Sequence, residues 1–227
     1  MTCGNDTAVN TAPAAADLAA ASPVCSYTEW DPLEEVVVGI VDEACFPPWH
    51  VALPPVLPAN QHETFRDNAG KPFPPERVAA ARRELEEFVR VLEAEGVTVR
   101  RPEPVPQNTP YSTPDWSSTG MYAAMPRDAL LVVGDEIIEC PMAWRSRYYE
   151  TLAYRPLLKE YFHGGARWTA GPKPELTDAQ FDQDWTDDGD HDGPPKLVVT
   201  EFEPTFDAAD FTRCGRDIIA QKSNVTN

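Results

Sequence analysis

Twenty-four prolines are scattered through 227 residues, roughly double the usual frequency of about 5%. Each lacks a backbone donor and fixes φ, so none fits easily inside a helix or a central strand. Their spread argues against a long helical bundle or coiled coil. It favours short elements joined by long connections, in one large domain or two small ones with chain enough for a sizeable core. The formal charge of −18 repels phosphate backbones and anionic lipid, which argues against nucleic-acid and membrane partners. No stretch reaches the roughly 18 apolar residues of a membrane helix.

Five cysteines, Cys3, Cys25, Cys45, Cys140 and Cys214, are too dispersed for a zinc cluster or paired CxxC motifs. Their odd number fits a reduced, intracellular protein. Residues 1–24 are rich in Ala and Thr, lack Lys and Arg, and carry Asp6 and Asp17. That composition matches neither a secretory signal nor a transit peptide. We expect a disordered leader over 1–24, an ordered domain over 25–227 and a cytoplasmic location.

Periodicity predicts an α/β fold. Val36–Ile40 reads as a short buried strand, and the proline-laden residues 46–75 as mostly loop. A helix opens at Pro75 and ends at Gly96. Val78, Ala81, Leu85, Phe88 and Leu92 form its apolar face, and Glu84, Glu86, Glu87 and Arg90 its polar one. Val97–Arg100 is the next strand. A second unit repeats the plan: a hairpin of Ala129–Val133 and Glu136–Cys140 turning at Gly134-Asp135, a helix of about Tyr148–Phe162, and a strand Leu197–Phe202. A third begins where Gly215-Arg216-Asp217-Ile218-Ile219 echoes Gly134-Asp135-Glu136-Ile137-Ile138. Ser223, Asn224, Thr226 and Asn227 are helix-capping types. Since no helix follows them, the third unit looks truncated.

Few patterns point to chemistry. Asp188, Asp190, Asp192 and Gly193 resemble the start of a calcium loop, but Val199 stands where the bidentate Glu is needed and Lys196 adds a positive charge. A solvated acidic loop is the better reading, and no metal or other cofactor is expected. No cysteine has a histidine at a spacing that argues for a catalytic pair; His50, His62, His163 and His191 fall in loops or helix ends. Asp128, at the mouth of a hydrophobic strand, and Asp207, just after a predicted one, lie where α/β proteins place ligand chemistry. Read from pattern alone, each is a turn or cap residue.

Five longer stretches change that reading: CSYTEWDPLEEVVVG, AEGVTVRRPEP, STGMYAAMPRDALLVVGDEIIECPMAWRSRYYE, ARWTAGPKP and TEFEPTFDAADFTRCGRDIIAQKSNVTN. From Cys25 to Asn227 the chain resembles the N-terminal portion of the glycine amidinotransferase family. The resemblance lapses in the leader and in residues 178–195. It implies the first two to three of five ββαβ modules of a pentein-type α/β propeller, with the active site in the central channel. It also implies an enzyme that moves the amidino group of L-arginine to glycine or a similar amine through an amidino-cysteine, giving guanidinoacetate and L-ornithine, as in creatine biosynthesis. The family's catalytic cysteine and histidine match positions beyond Asn227. Asp207 matches the carboxylate that orients that histidine, and Asp128, in Arg127-Asp128, the one that binds the guanidinium. Alternatives are an inosamine-phosphate amidinotransferase, an arginine deiminase-like hydrolase as a poorer match, and a non-catalytic truncated remnant. A complete enzyme would act on small molecules, without cofactor, as a possible homodimer. Residues 1–227 alone are expected to be inactive and to fold poorly.

Overall fold

A computed structural model describes residues 22–186 and 196–227. The expected leader lies almost wholly outside the described residues, as do Asp188, Asp190, Asp192 and Gly193 of the acidic loop and His191. The fold is mixed α/β, built from short strands in four small sheets. β1 (Glu35–Val37) leads into a long connection holding the 3₁₀ turn Ala59–Gln61 and α1 (His62–Asp67), then α2 (Pro75–Ala94) and β2 (Thr98–Arg100). β2 pairs parallel to β1, with Val36 opposite Val99, so β1, α2 and β2 form a βαβ crossover. Pro75 takes the first helical position of α2, where its missing donor has no partner to lose, and Gly96 follows the helix in the left-handed region at φ 84°.

Two details of this unit differ from the sequence reading. Val89, rather than Phe88, lies on the buried face of α2, and Phe88 is half-exposed. A 3.6-residue period carries the stripe from Leu85 to Val89 and Leu92, one position beyond Phe88. The proline-rich connection is also far from a bare loop. Phe46, Leu53 and Phe65 are buried there, and the Phe46 ring meets Phe65 and Phe73 edge-on at 5.1 and 4.4 Å. Proline blocks regular ladders without preventing burial, so the segment folds around aromatic contacts instead.

β3 (Tyr111–Ser112) and β4 (Ser117–Ser118) make a minimal hairpin, followed by the single turn α3 (Pro126–Ala129). Then comes a full ββαβ unit: β5 (Leu130–Val133), β6 (Glu136–Glu139), α4 (Thr151–His163) and β7 (Arg167–Ala170). β5 and β6 pair antiparallel, and β7 adds parallel to β6. Its closing strand is therefore β7. Leu197–Phe202, predicted as that strand, forms no ladder: the Val198 amide donates to the Asn224 side chain, and Val199 makes one isolated bridge to Phe181. The apolar run there reports burial, not pairing. β7 escaped notice because its residues are mostly exposed and form no β-branched apolar run.

The last elements are β8 (Phe211–Cys214) and β9 (Asp217–Ala220), antiparallel around Gly215. Their register matches that of β5 and β6, with two residues between Val133 and Glu136 and two between Cys214 and Asp217. Asn224, Thr226 and Asn227, residues of helix-capping type, bond by their side chains to the backbone of residues 198–207. Two cores result. One lies under α4 and β5–β7, around Leu131, Ile137, Tyr154 and Leu158. The other gathers Phe46, Phe65, Trp116, Trp144 and Leu176.

Candidate active site

The hairpins β5–β6 and β8–β9 are entered alike, each from a single helical turn. α3 carries Asp128 and ends in Ala129; the 3₁₀ turn Ala208–Asp210 is N-capped by Asp207, whose Oδ1 accepts from the Ala209 amide at 2.8 Å. Ala129 and Ala208 are both fully buried in the first core. The acid preceding each is thereby held at the core's rim, and the internal repeat sets the two acids side by side. Arg127 ties the turns together. Its guanidinium donates to the carbonyl oxygens of Ala208 and Phe211 and stands 3.7 Å from Glu29.

Asp128 and Asp207 meet on one cation. Arg147 Nη1 donates to Asp128 Oδ2 at 2.8 Å and lies 3.8 Å from Asp207 Oδ2. Arg147 ends the 3₁₀ turn Arg145–Arg147, and Glu150 one turn later grips its fork. Nε donates to Oε2 at 2.5 Å and Nη2 to Oε1 at 2.9 Å. Both residues are only 4% exposed. The guanidinium also faces the Tyr122 and Trp144 rings, 5.5 and 6.0 Å from their centres. From behind, Thr226 Oγ1 accepts the Asp207 amide at 3.1 Å and donates to Asp210 Oδ2.

Three carboxylates therefore share one buried cation. Burial, and then the charge of Asp128, push the Asp207 carboxyl up from 3.8 to about 6, against the pull of the Ala209 amide and Arg147. Burial likewise pushes the Tyr122 hydroxyl up to about 12, so it stays neutral. Such a site attracts a further cation, and a planar one can meet a carboxylate edge with two parallel hydrogen bonds. No histidine among the described residues hydrogen-bonds Asp207. His50 is buried against Phe181, where desolvation and then Arg145 lower it to about 4.

Neither buried thiol, Cys45 or Cys140, is a nucleophile that the geometry favours. Burial raises the Cys45 thiol, which donates to the Gly120 carbonyl. Burial takes the Cys140 thiol up to about 12, and the charge of Asp207 adds to the rise. A thiolate needs the opposite surroundings. Among the described residues no three His, Cys, Asp or Glu side chains could hold a metal ion; Lys196 pairs with Asp182, and Val199 is buried. Nor is any helix of the described residues long and apolar enough to cross a membrane. Arg147, Glu150, Tyr122 and Thr226 were missed in the sequence reading. The Arg-x-x-Glu spacing in Trp144–Glu150, amid aromatic residues, was the available signal of a buried ion pair.

No family model matches the chain; individual proteins do. The L-arginine:L-lysine amidinotransferase of Pseudomonas savastanoi pv. phaseolicola is 70% identical over 206 residues, 91% of this chain and 57% of that protein. The mitochondrial glycine amidinotransferase of Danio rerio is 55% identical, over 90% of this chain and 50% of that one. Among solved structures, SxtG, an amidinotransferase from Microseira wollei in the saxitoxin biosynthetic pathway, matches with a TM-score of 0.85 at 53% identity, over 90% of this chain and 58% of that one. The inosamine-phosphate amidinotransferase StrB1 from Streptomyces griseus matches with a TM-score of 0.79 at 39% identity, over 91% and 57%. The chain spans about half the length of the curated relatives it matches. With likeness at this level in both sequence and backbone, the chain is homologous to the N-terminal portion of amidinotransferases.

Proposed function

We propose that residues 25–227 supply the carboxylate half of an amidinotransferase site, in a cytoplasmic enzyme that uses L-arginine as donor. On this reading β1–α2–β2, β5–β6–α4–β7 and β8–β9 are successive modules of a pentein-type propeller. Asp128 lies in the plane of the arginine guanidinium and fixes its carbon for attack. A cysteine thiolate attacks that carbon, L-ornithine leaves, and the amidino group stays on sulfur. An acceptor amine then takes the group and frees the thiolate. A histidine moves the protons, and Asp207 orients it and stabilises its charged form. The cysteine and the histidine come from the part of an amidinotransferase that residues 1–227 do not span, and the complete enzyme works as a homodimer.

The observation that carries this reading is the convergence of Asp128 and Asp207, from separate modules, on a buried site holding more carboxylates than cations. Glycine is one acceptor to test. The 70% relative is named for lysine, which makes an amino-acid amine larger than glycine the second. The test replaces the matching segment of the Pseudomonas enzyme with residues 25–227 and assays L-ornithine release with each acceptor. The chimera is expected to release ornithine. Asp128→Asn in it should raise KM for arginine at least 30-fold, since breaking one member of a buried charge pair costs about 2–5 kcal/mol. Asp207→Asn should instead lower kcat by about 100-fold or more. Equal KM and kcat in all three proteins would refute both assignments.

A further inference from the structure

Arg147 occupies the centre of the candidate site, yet its geometry is not that of a ligand-binding arginine. Its guanidinium is buried, and every nitrogen is engaged within the protein. Nε donates to Glu150 Oε2, and Nη2 to Glu150 Oε1 with the Met125 carbonyl at 3.5 Å. Nη1 donates to Asp128 Oδ2. One Nη1 hydrogen alone is without a hydrogen bond, and that nitrogen lies 3.8 Å from Asp207 Oδ2, so a substrate carboxylate would meet an acid there rather than an open fork. What Arg147 does hold is one oxygen of Asp128, while no hydrogen bond from the described residues reaches Asp128 Oδ1. Glu150 fixes the fork from the opposite side, so the guanidinium cannot rotate without breaking a bidentate pair.

Ion pairs built only for stability balance their charges, because an uncompensated buried charge is costly. Here the Arg147–Glu150 pair is already neutral, and Asp128 and Asp207 are added to it. The groups facing Asp207 are Arg147 and Asp128 from their own turns, Asp210 from the same turn, and the neutral Tyr122 and Cys140 nearby. Arg147 is the cation among them.

We propose that Arg147, locked by Glu150, is a positioning residue. Its charge holds Asp128 and Asp207 together at one spot, and its fork sets the plane of the Asp128 carboxylate, leaving Oδ1 free for an incoming guanidinium. The part concerning guanidinium capture rests on the function proposed above; the part concerning the two carboxylates does not.

Removing Arg147 alone would strand Glu150 as a buried unpaired charge, so the informative variant is the double substitution Arg147→Met with Glu150→Met. Buried ion pairs replaced together by apolar residues commonly keep the fold. The carboxyl carbons of the purified protein would be titrated by NMR, and L-arginine binding measured by calorimetry. In the double variant Asp207 should titrate about one unit or more higher than in the wild type, the shift expected when an opposite charge within about 4–6 Å is lost. In Arg147→Lys, which keeps the charge without the fork, Asp207 should titrate as in the wild type while arginine affinity falls about tenfold or more. An Asp207 midpoint unmoved in the folded double variant would overturn the proposal. So would arginine affinity in Arg147→Lys equal to that of a binding wild type. If the wild type fails to bind arginine while Asp207 shifts as stated, the positioning role is supported, and the capture role given to Asp128 is what fails.

Discussion

Ionising Asp207 works against the fold. Its carboxyl titrates near 6 in the folded chain against an ordinary 3.8, so the folded state binds that proton more tightly than the unfolded state does. The penalty is fully present above about pH 6 and is relieved as pH falls through 6 towards 3.8. Asp207→Asn keeps an N-cap acceptor for the Ala209 amide and removes the charge. It should raise stability at pH 7 by up to about 3 kcal/mol and add little at pH 3.5, as urea denaturation at the two pH values would show. A loss of equal size at both would contradict the charge argument. Glu29 has the opposite sign. Hydrogen bonds from Arg213 hold it at about 2, so its contribution is present above about pH 4.5 and is lost as pH falls towards 2. The pattern reading of Asp207 as a cap describes its Oδ1 correctly; resemblance alone singled it out for chemistry. Arg147 was missed because an arginine reads as solvent-facing unless its spacing to Glu150, amid aromatic residues, is taken as the mark of a buried pair.

The turns of the two equivalent hairpins differ in what surrounds them. Gly134 and Gly215 both have positive φ, at 59° and 75°, and each is the first of two turn residues. A glycine there with an ordinary φ at the second position is the type II′ pattern that suits strand twist. A side chain at Gly134 would meet the Tyr27 ring at 2.9 Å, whereas the space at Gly215 is open. Gly215→Ala should therefore cost about 1–2 kcal/mol for its backbone alone, and Gly134→Ala distinctly more. Thermal melting of both variants checks the order, and equal losses would show that Tyr27 yields freely. This echo was legible in sequence because a two-residue turn leaves a local signature. The closing strand β7 was not. Its pairing with β6 is parallel and non-local, so no hairpin turn marks it. At the end of the chain, capping-type residues proved to serve as side-chain partners for a neighbouring loop, a role that composition does not distinguish.

Across the whole molecule, the surplus of acid over base has a local counterpart at the junction of the two cores. The first core sets Asp128 and Asp207 at its rim through Ala129 and Ala208, and Trp144 of the second closes over Arg147. The α/β class followed from alternating elements, and the likeness to amidinotransferases from five long matching stretches. The second core did not, since proline density reads as loop whether or not the loop is packed. What ties these scales together is a site with three carboxylates to one buried cation, which on the function proposed above receives a guanidinium. Calorimetric titration of the protein with L-arginine, and with L-ornithine, which lacks the guanidinium, tests this most directly. L-Arginine is expected to bind saturably, ornithine not to, and Asp128→Asn to weaken arginine at least 30-fold, given about 2–5 kcal/mol for a broken buried charge pair. Arginine binding that is equal in wild type and Asp128→Asn, or matched by ornithine, would contradict it.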